Sequence, residues 1–137
     1  MQRTSLLAPT PALMLLMTLG VASGSASAQS VQTPGAGAAL FESRCAACHS
    51  LEANRVGPML RGVVGRKVAS AAGYEYSDAL KHVKGQWNAA RLEKWLQDPQ
   101  SVAAGTKMAF SVPSAADRKA VIQYLASTGA PVGTAKK

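Results

Sequence analysis

The chain has 137 residues, with 15 Lys and Arg against 7 Asp and Glu, a formal charge of +8. That length allows one small domain and no more. The basic balance points to an acidic partner protein or an anionic surface.

Residues 1–28 read as a targeting signal. Arg3 gives a positive start, residues 12–22 form an apolar run, and Ala26-Ser27-Ala28 is a small-residue cleavage site. The run is too short to span a bilayer as a helix. An uncleaved anchor is the competing reading, and the small residues directly after the run argue against it. Cleavage after Ala28 removes Arg3 and leaves 109 residues, with 14 basic against 7 acidic side chains. No second apolar stretch of membrane length follows, so no transmembrane segment is expected after processing. The expected location is the periplasm, and export argues against a nucleic-acid partner.

Residues 29–36 form a polar leader with Pro and Gly. Residues 36–47 predict an Ala-rich helix, with Leu40 and Phe41 apolar and Glu42, Ser43 and Arg44 polar. Gly37 lies four residues before Phe41, shares its face, and lets another helix approach closely.

The helix runs into Cys45-Ala46-Ala47-Cys48-His49, which holds both cysteines of the protein. C-x-x-C-H is a haem c attachment pattern. Two thiols at this spacing reach the two vinyl groups of a porphyrin and form thioethers. The adjacent His49 then offers an imidazole to the iron. A redox disulfide needs a preceding strand, and none is predicted. A zinc site needs a second pair of donors, and the only other Cys or His is His82. The expected cofactor is therefore one haem c, covalent through Cys45 and Cys48. It gives a small chain a large apolar body to fold around.

Residues 50–56 read as a polar loop, followed by Gly57-Pro58. A loop-rich stretch holds Gly62, Gly65, Arg66 and Gly73, then Tyr74 and Tyr76. Ser77 caps a helix predicted over 78–84, stopped by Gly85. Asn88 caps another over 89–97, stopped by Asp98-Pro99, with Leu92, Trp95 and Leu96 as its apolar face. Residues 104–113 form an irregular loop carrying Met108. A thioether is a soft ligand suited to the sixth position of a haem iron. Met59 follows Pro58 on the His49 side, and His82 is the rival imidazole, placed mid-helix among polar neighbours. Ser114 opens a last helix with a capping box to Asp117, whose apolar face is Val121, Ile122, Tyr124 and Leu125. Residues 129–137 read as a loose tail. No strand and no internal repeat is predicted.

Over residues 37–128 the chain resembles the class I c-type cytochromes, close to the mitochondrial and bacterial c2-like branch. The carriers are G-x-x-x-F before C-x-x-C-H, G-P-x-L-x-G-x-x-G-R over 57–66, G-Y-x-Y-S over 73–77, Trp87, G-T-K-M over 105–108, and Tyr-Leu in the last helix. The resemblance implies an all-α fold of short helices and loops wrapped around one covalent haem. It implies that Pro58 offers its carbonyl to the His49 ring and that Met108 is the distal ligand. Tyr76 and Trp87 would hold a propionate, Arg66 would offset its charge, and Phe110 would shield the haem edge. Where mitochondrial members carry lysines after the helix-ending proline, this chain has Gln100 and Ser101. Arg44, Arg55 and Lys107 remain as candidates for a thin basic ring.

The implied function is a soluble monomeric electron carrier, not an enzyme. Its partners would be a quinol-cytochrome c oxidoreductase, a terminal oxidase or a photosynthetic reaction centre. The alternative is the electron-accepting subunit of a periplasmic dehydrogenase. A peroxidase or gas sensor would need an open or labile iron position.

Overall fold

A computed structural model describes residues 35–129; the expected signal, most of the leader and most of the tail lie outside them. Five helices follow in order. They are α1 (Ala36–Leu40, continuing as a π-helical turn Phe41–Cys45), α2 (Asp78–His82), α3 (Ala89–Gln97), α4 (Pro99–Val102) and α5 (Ala115–Ser127). Among the described residues there is no strand, only an isolated bridge between Lys67 and Gln86.

The helix starts follow their side-chain caps. Ser77, Asn88 and Ser114 accept from the N–H groups of Leu80, Arg91 and Asp117, satisfying donors that a helix start leaves free. Three features depart from the sequence expectation. Helix α2 stops at His82, two residues short of the expected end at Lys84, because the β-branched Val83 is already extended (φ −72°, ψ 116°). The first helix ends in a π turn, in which Phe41 O accepts from Ala46 N–H at 2.9 Å. A π turn holds an extra residue and so re-aims the chain that enters the cysteine motif. Asp98-Pro99 does end α3, but it also starts α4. Asp98 caps the new helix, and Pro99 needs no N–H at the first helical position.

Helix α1 packs on α5 at Gly37. A Cβ there would fall 2.3 Å from Ala120 O and 2.7 Å from Tyr124 Cβ, so only glycine permits the crossing. One turn on, the Phe41 and Tyr124 rings meet at 5.6 Å. Helix α3 packs on α5 as well, and Leu92, Trp95, Leu96, Val121 and Leu125 are buried between the elements.

Loops cover the remainder and are tied by named bonds. Asn54 donates to Ala72 O at 2.8 Å and accepts from Met59 N–H at 3.0 Å. Tyr74 OH donates to Val56 O at 2.8 Å. Gly65 N–H donates to Trp87 O, and Trp87 N–H to Arg66 O. These bonds bring Arg66 and Trp87 to one wall.

Candidate functional site

The motif forms a tight turn. Cys48 and His49 N–H both donate to Cys45 O, at 3.0 and 2.8 Å. Arg55 closes the turn by donating to Ala46 O at 2.9 Å. The two thiols are not joined to each other; Cys45 is half-buried and Cys48 exposed. Burial raises the Cys45 thiol pKa, partly offset by the Arg44 charge.

His49 is held from two sides. Gly57 N–H donates to Cys48 O at 2.8 Å, which lays the Gly57 backbone against the imidazole. A Cβ on Gly57 would lie 2.2 Å from His49 Cε1. The His49 Nδ1 sits 2.8 Å from Pro58 O. A carbonyl can only accept, so Nδ1 carries the proton and Nε2 keeps its lone pair. Burial lowers the His49 pKa, against the opposing effect of the Pro58 carbonyl, and so favours the neutral ring, the form that has a lone pair to offer a metal.

The imidazole opens into a cavity of about 520 Å³. Leu60, Val63, Leu80, Leu92, Leu96, Val121 and Leu125 give it apolar walls, and Cys45, Cys48 and His49 lie on one side. Met108 also lines it, and its Sδ accepts from the Trp95 indole N–H at 3.2 Å. His82 is exposed, with Nδ1 on Asp78 O at 2.6 Å, and it does not line the cavity; nor does Met59. Among the described residues no three His, Cys, Asp or Glu side chains converge, so a zinc site finds no further donors.

Arg66, Tyr76 and Trp87 also line the cavity. Arg66 is half-buried, donates to Met59 O and Arg61 O, and has no acidic partner among the described residues. Burial lowers its pKa, but a guanidinium keeps its charge. Tyr76 OH accepts from Ala71 N–H at 3.1 Å and retains its own proton to give. At the mouth Phe110 and Val56 are 46% and 75% exposed, beside Arg44 and Lys107. Lys107 Nζ donates to Glu75 O at 2.6 Å, so its charge is anchored there. The donor set fits a haem: two thiols, an imidazole, a thioether, apolar walls for the ring, and a cation with hydroxyl and indole donors for its acid groups.

Residues 35–129 match the family model described as cytochrome c. The chain belongs to the cytochrome c family. Its relatives include a cytochrome c of Gibberella zeae, 45% identical over 93 residues, which are 65% of this chain and 88% of that protein. Cytochrome c2 iso-2 of Magnetospirillum molischianum is 46% identical over 86 residues, 59% of this chain and 87% of that one. A cytochrome c-type cyt cy of Rhodobacter capsulatus is 46% identical over 92 residues, 66% of this chain; the match spans only 46% of that longer protein. Among solved structures, cytochrome cH from Methylobacterium extorquens matches with a TM-score of 0.65 at 43% identity, covering 69% of this chain and 97% of that one. The all-α class I cytochrome c fold expected from the sequence is the fold observed. With the family comes one haem c, covalent through Cys45 and Cys48, and electron transfer is the family's work. The family's haem decides against a disulfide at these cysteines.

Trp95 on the cavity wall, and Gln100 and Arg118 outside it, were not assigned a role from the sequence. Trp95, read there as part of an apolar face, uses its polar edge on Met108. Gln100 bonds the Met108 loop. Arg118, buried in α5, donates to Val112 O and Pro113 O and pairs with Glu93 at 2.6 Å. The available signal was an amphipathic residue type in each case, since Trp, Gln and Arg all bury apolar bodies with a donor to place.

Proposed function

We propose that this chain is a periplasmic electron carrier that exchanges single electrons with partner proteins at the cavity mouth. One observation carries the reading: an imidazole and a thioether, His49 and Met108, line the same cavity as both attachment cysteines. Bound there, haem c supplies an iron that alternates between Fe(III) and Fe(II).

Each residue then has a task. His49 presents Nε2 as the proximal donor, with Pro58 fixing its tautomer. Met108 presents its sulfur as the distal donor; thioether ligation favours the reduced state more than a second imidazole would. With two protein donors no position is left for peroxide or oxygen, which supports a carrier and not an enzyme. Arg66, Tyr76 and Trp87 hold the propionates, through charge, a free hydroxyl proton and an indole N–H. Phe110 covers the exposed edge, and with Val56 gives a partner an apolar contact. Arg44, Arg55 and Lys107 supply charge for an acidic docking surface on an oxidoreductase, oxidase or reaction centre. No helix among the described residues is long and apolar enough to cross a membrane.

The test is fractionation. The haem-bearing protein is expected in the periplasmic fraction, as a species of its own size. Constant co-purification with a large dehydrogenase subunit would replace the carrier with the subunit reading.

Two smaller effects are expected. Trp95→Phe removes the hydrogen bond that draws electron density from the Met108 sulfur. That density then favours Fe(III), and the potential should fall by ~40 mV, the equivalent of about one hydrogen bond of ~1 kcal/mol. A potentiometric titration with no downward shift would show that the indole does not bond the ligating sulfur. Lys107→Glu reverses a charge at the mouth and should slow electron transfer to an acidic partner several-fold at low salt. The difference should shrink as salt screens it. Equal stopped-flow rates at low ionic strength would remove Lys107 from the docking surface.

A further inference from the structure

The Met108 loop has an anchor on α4. Asp98 Oδ1 accepts from the Gln100 N–H at 3.0 Å, Ser101 Oγ donates to Asp98 O at 2.8 Å, and Pro99 is fully buried. The backbone of Gln100 is therefore fixed. Its side-chain amide makes three bonds to the loop. Oε1 accepts from Gly105 N–H at 2.9 Å. Nε2 donates to Thr106 O at 3.1 Å and, more weakly, to Met108 O at 3.4 Å. One planar group thus ties both ends of the turn that carries the cavity-facing thioether.

Only a primary amide can do this. It combines a lone pair for an N–H with two protons for carbonyls. A carboxylate has no proton to give, an ammonium has no lone pair, and an aliphatic side chain has neither. Three other side chains support the segment: Trp95 donates to the Met108 sulfur, Lys107 reaches out to Glu75 O, and Arg118 holds the exit at Val112 and Pro113. None of them bonds the backbone of residues 105–108.

We infer that Gln100 is a positioning residue, a latch that keeps residues 105–108 turned so that Met108 stays in the cavity. The inference rests on Met108 as the distal donor. With the latch closed, swinging Met108 outward breaks all three bonds at once. Without it, water already satisfies those loop groups, and the outward state costs less.

Imidazole added to the oxidised haem protein competes with Met108, so its apparent affinity reads how often the loop opens. Gln100→Leu keeps the size of the side chain and removes its polarity. It should raise that affinity about tenfold, a modest net value for three partly exposed bonds. Gln100→Asn stays polar but falls one methylene short, and should move the affinity the same way. Gln97→Leu, the same exchange at an exposed residue of α3 that takes no part in the anchor or the loop, should match the wild type. A role limited to building α4 would lower thermal stability in the Gln100 variants without changing imidazole affinity. Affinity in Gln100→Leu and Gln100→Asn within about twofold of wild type overturns the latch while Met108 ligation stands. If the wild type lacks the sulfur-to-iron charge-transfer band, the ligand reading falls, and the latch with it.

Discussion

Met108→Ala is expected to abolish the weak near-infrared-side band of sulfur-to-iron charge transfer, lower the potential and open the iron to added ligands, with the haem still attached. The reason is the composition of the cavity wall. Among the described residues only Met108 offers a thioether to the cavity, and His49 is already committed through its bond to Pro58. Alanine has no donor atom, so the sixth position passes to water or to an added ligand. The loss in potential should be on the order of 0.1–0.3 V, within the ~0.8 V range that axial ligands span. The variant also strands the Trp95 N–H, whose acceptor is the Met108 sulfur. Leaving a buried donor unpaired costs about 1–3 kcal/mol, so some thermal destabilisation should accompany the spectral change. Attachment through Cys45 and Cys48 does not depend on the distal side. Met59→Leu is the matched control, because Met59 lies outside the cavity wall, and its band should persist. A band that survives Met108→Ala must come from another sulfur, and Met59 would take the assignment. His82 cannot produce it and sits exposed on α2.

How far the sequence could be read depends on how local the determining interaction is. The cysteine motif is five adjacent residues, so its chemistry was readable without any tertiary information. The caps at Ser77, Asn88 and Ser114 act over three residues and place their helix starts where expected. Gly37 was readable as a close-approach site because it shares a helical face with Phe41, although the sequence could not name Ala120 as its neighbour. Asp98-Pro99 shows where local rules become ambiguous. The same pair that stops one helix is a good start for the next, and only the burial of Pro99 decides that α4 forms. Trp95, Gln100 and Arg118 were not assigned because their partners lie beyond the reach of a helical turn, five to eight residues away for Gln100, thirteen for Trp95 and twenty-five for the Arg118–Glu93 pair. Trp95 sits at helical spacing with Leu92 and Leu96, a pattern identical to plain packing, and its indole N–H finds Met108 only once α3 is docked. Arg118 looks like a solvated charge, yet it is 6% exposed because two carbonyls and Glu93 satisfy it. A buried guanidinium of this kind cannot be told from a surface one until its acceptors are placed.

Gly57→Ala is expected to damage the proximal side more than any other single methyl group added to this chain. A Cβ at that position would stand 2.2, 2.6 and 2.7 Å from His49 Cε1, Nδ1 and Nε2, which is inside contact distance for three ring atoms at once. Neither side can yield freely. The Gly57 backbone is pinned twice, donating to Cys48 O and accepting from Arg55 N–H, each at 2.8 Å. Pro58 follows with a fixed φ, and its carbonyl must remain 2.8 Å from His49 Nδ1. If the ring moves, it loses the carbonyl that fixes its tautomer; if the backbone moves, the carbonyl moves with it. Overpacking a site that cannot relax costs about 3 kcal/mol. For a domain of roughly 100 residues this corresponds to a fall in melting temperature of at least ~12 °C. The oxidised spectrum should also gain a high-spin component, because a displaced imidazole binds iron poorly. Gly35→Ala is the control, since a Cβ there meets nothing within 4 Å and should leave both measurements unchanged. A Gly57→Ala protein that melts with the wild type and keeps a fully low-spin spectrum would mean that His49 does not lie against Gly57 when it ligates, and the proximal geometry would have to be redrawn.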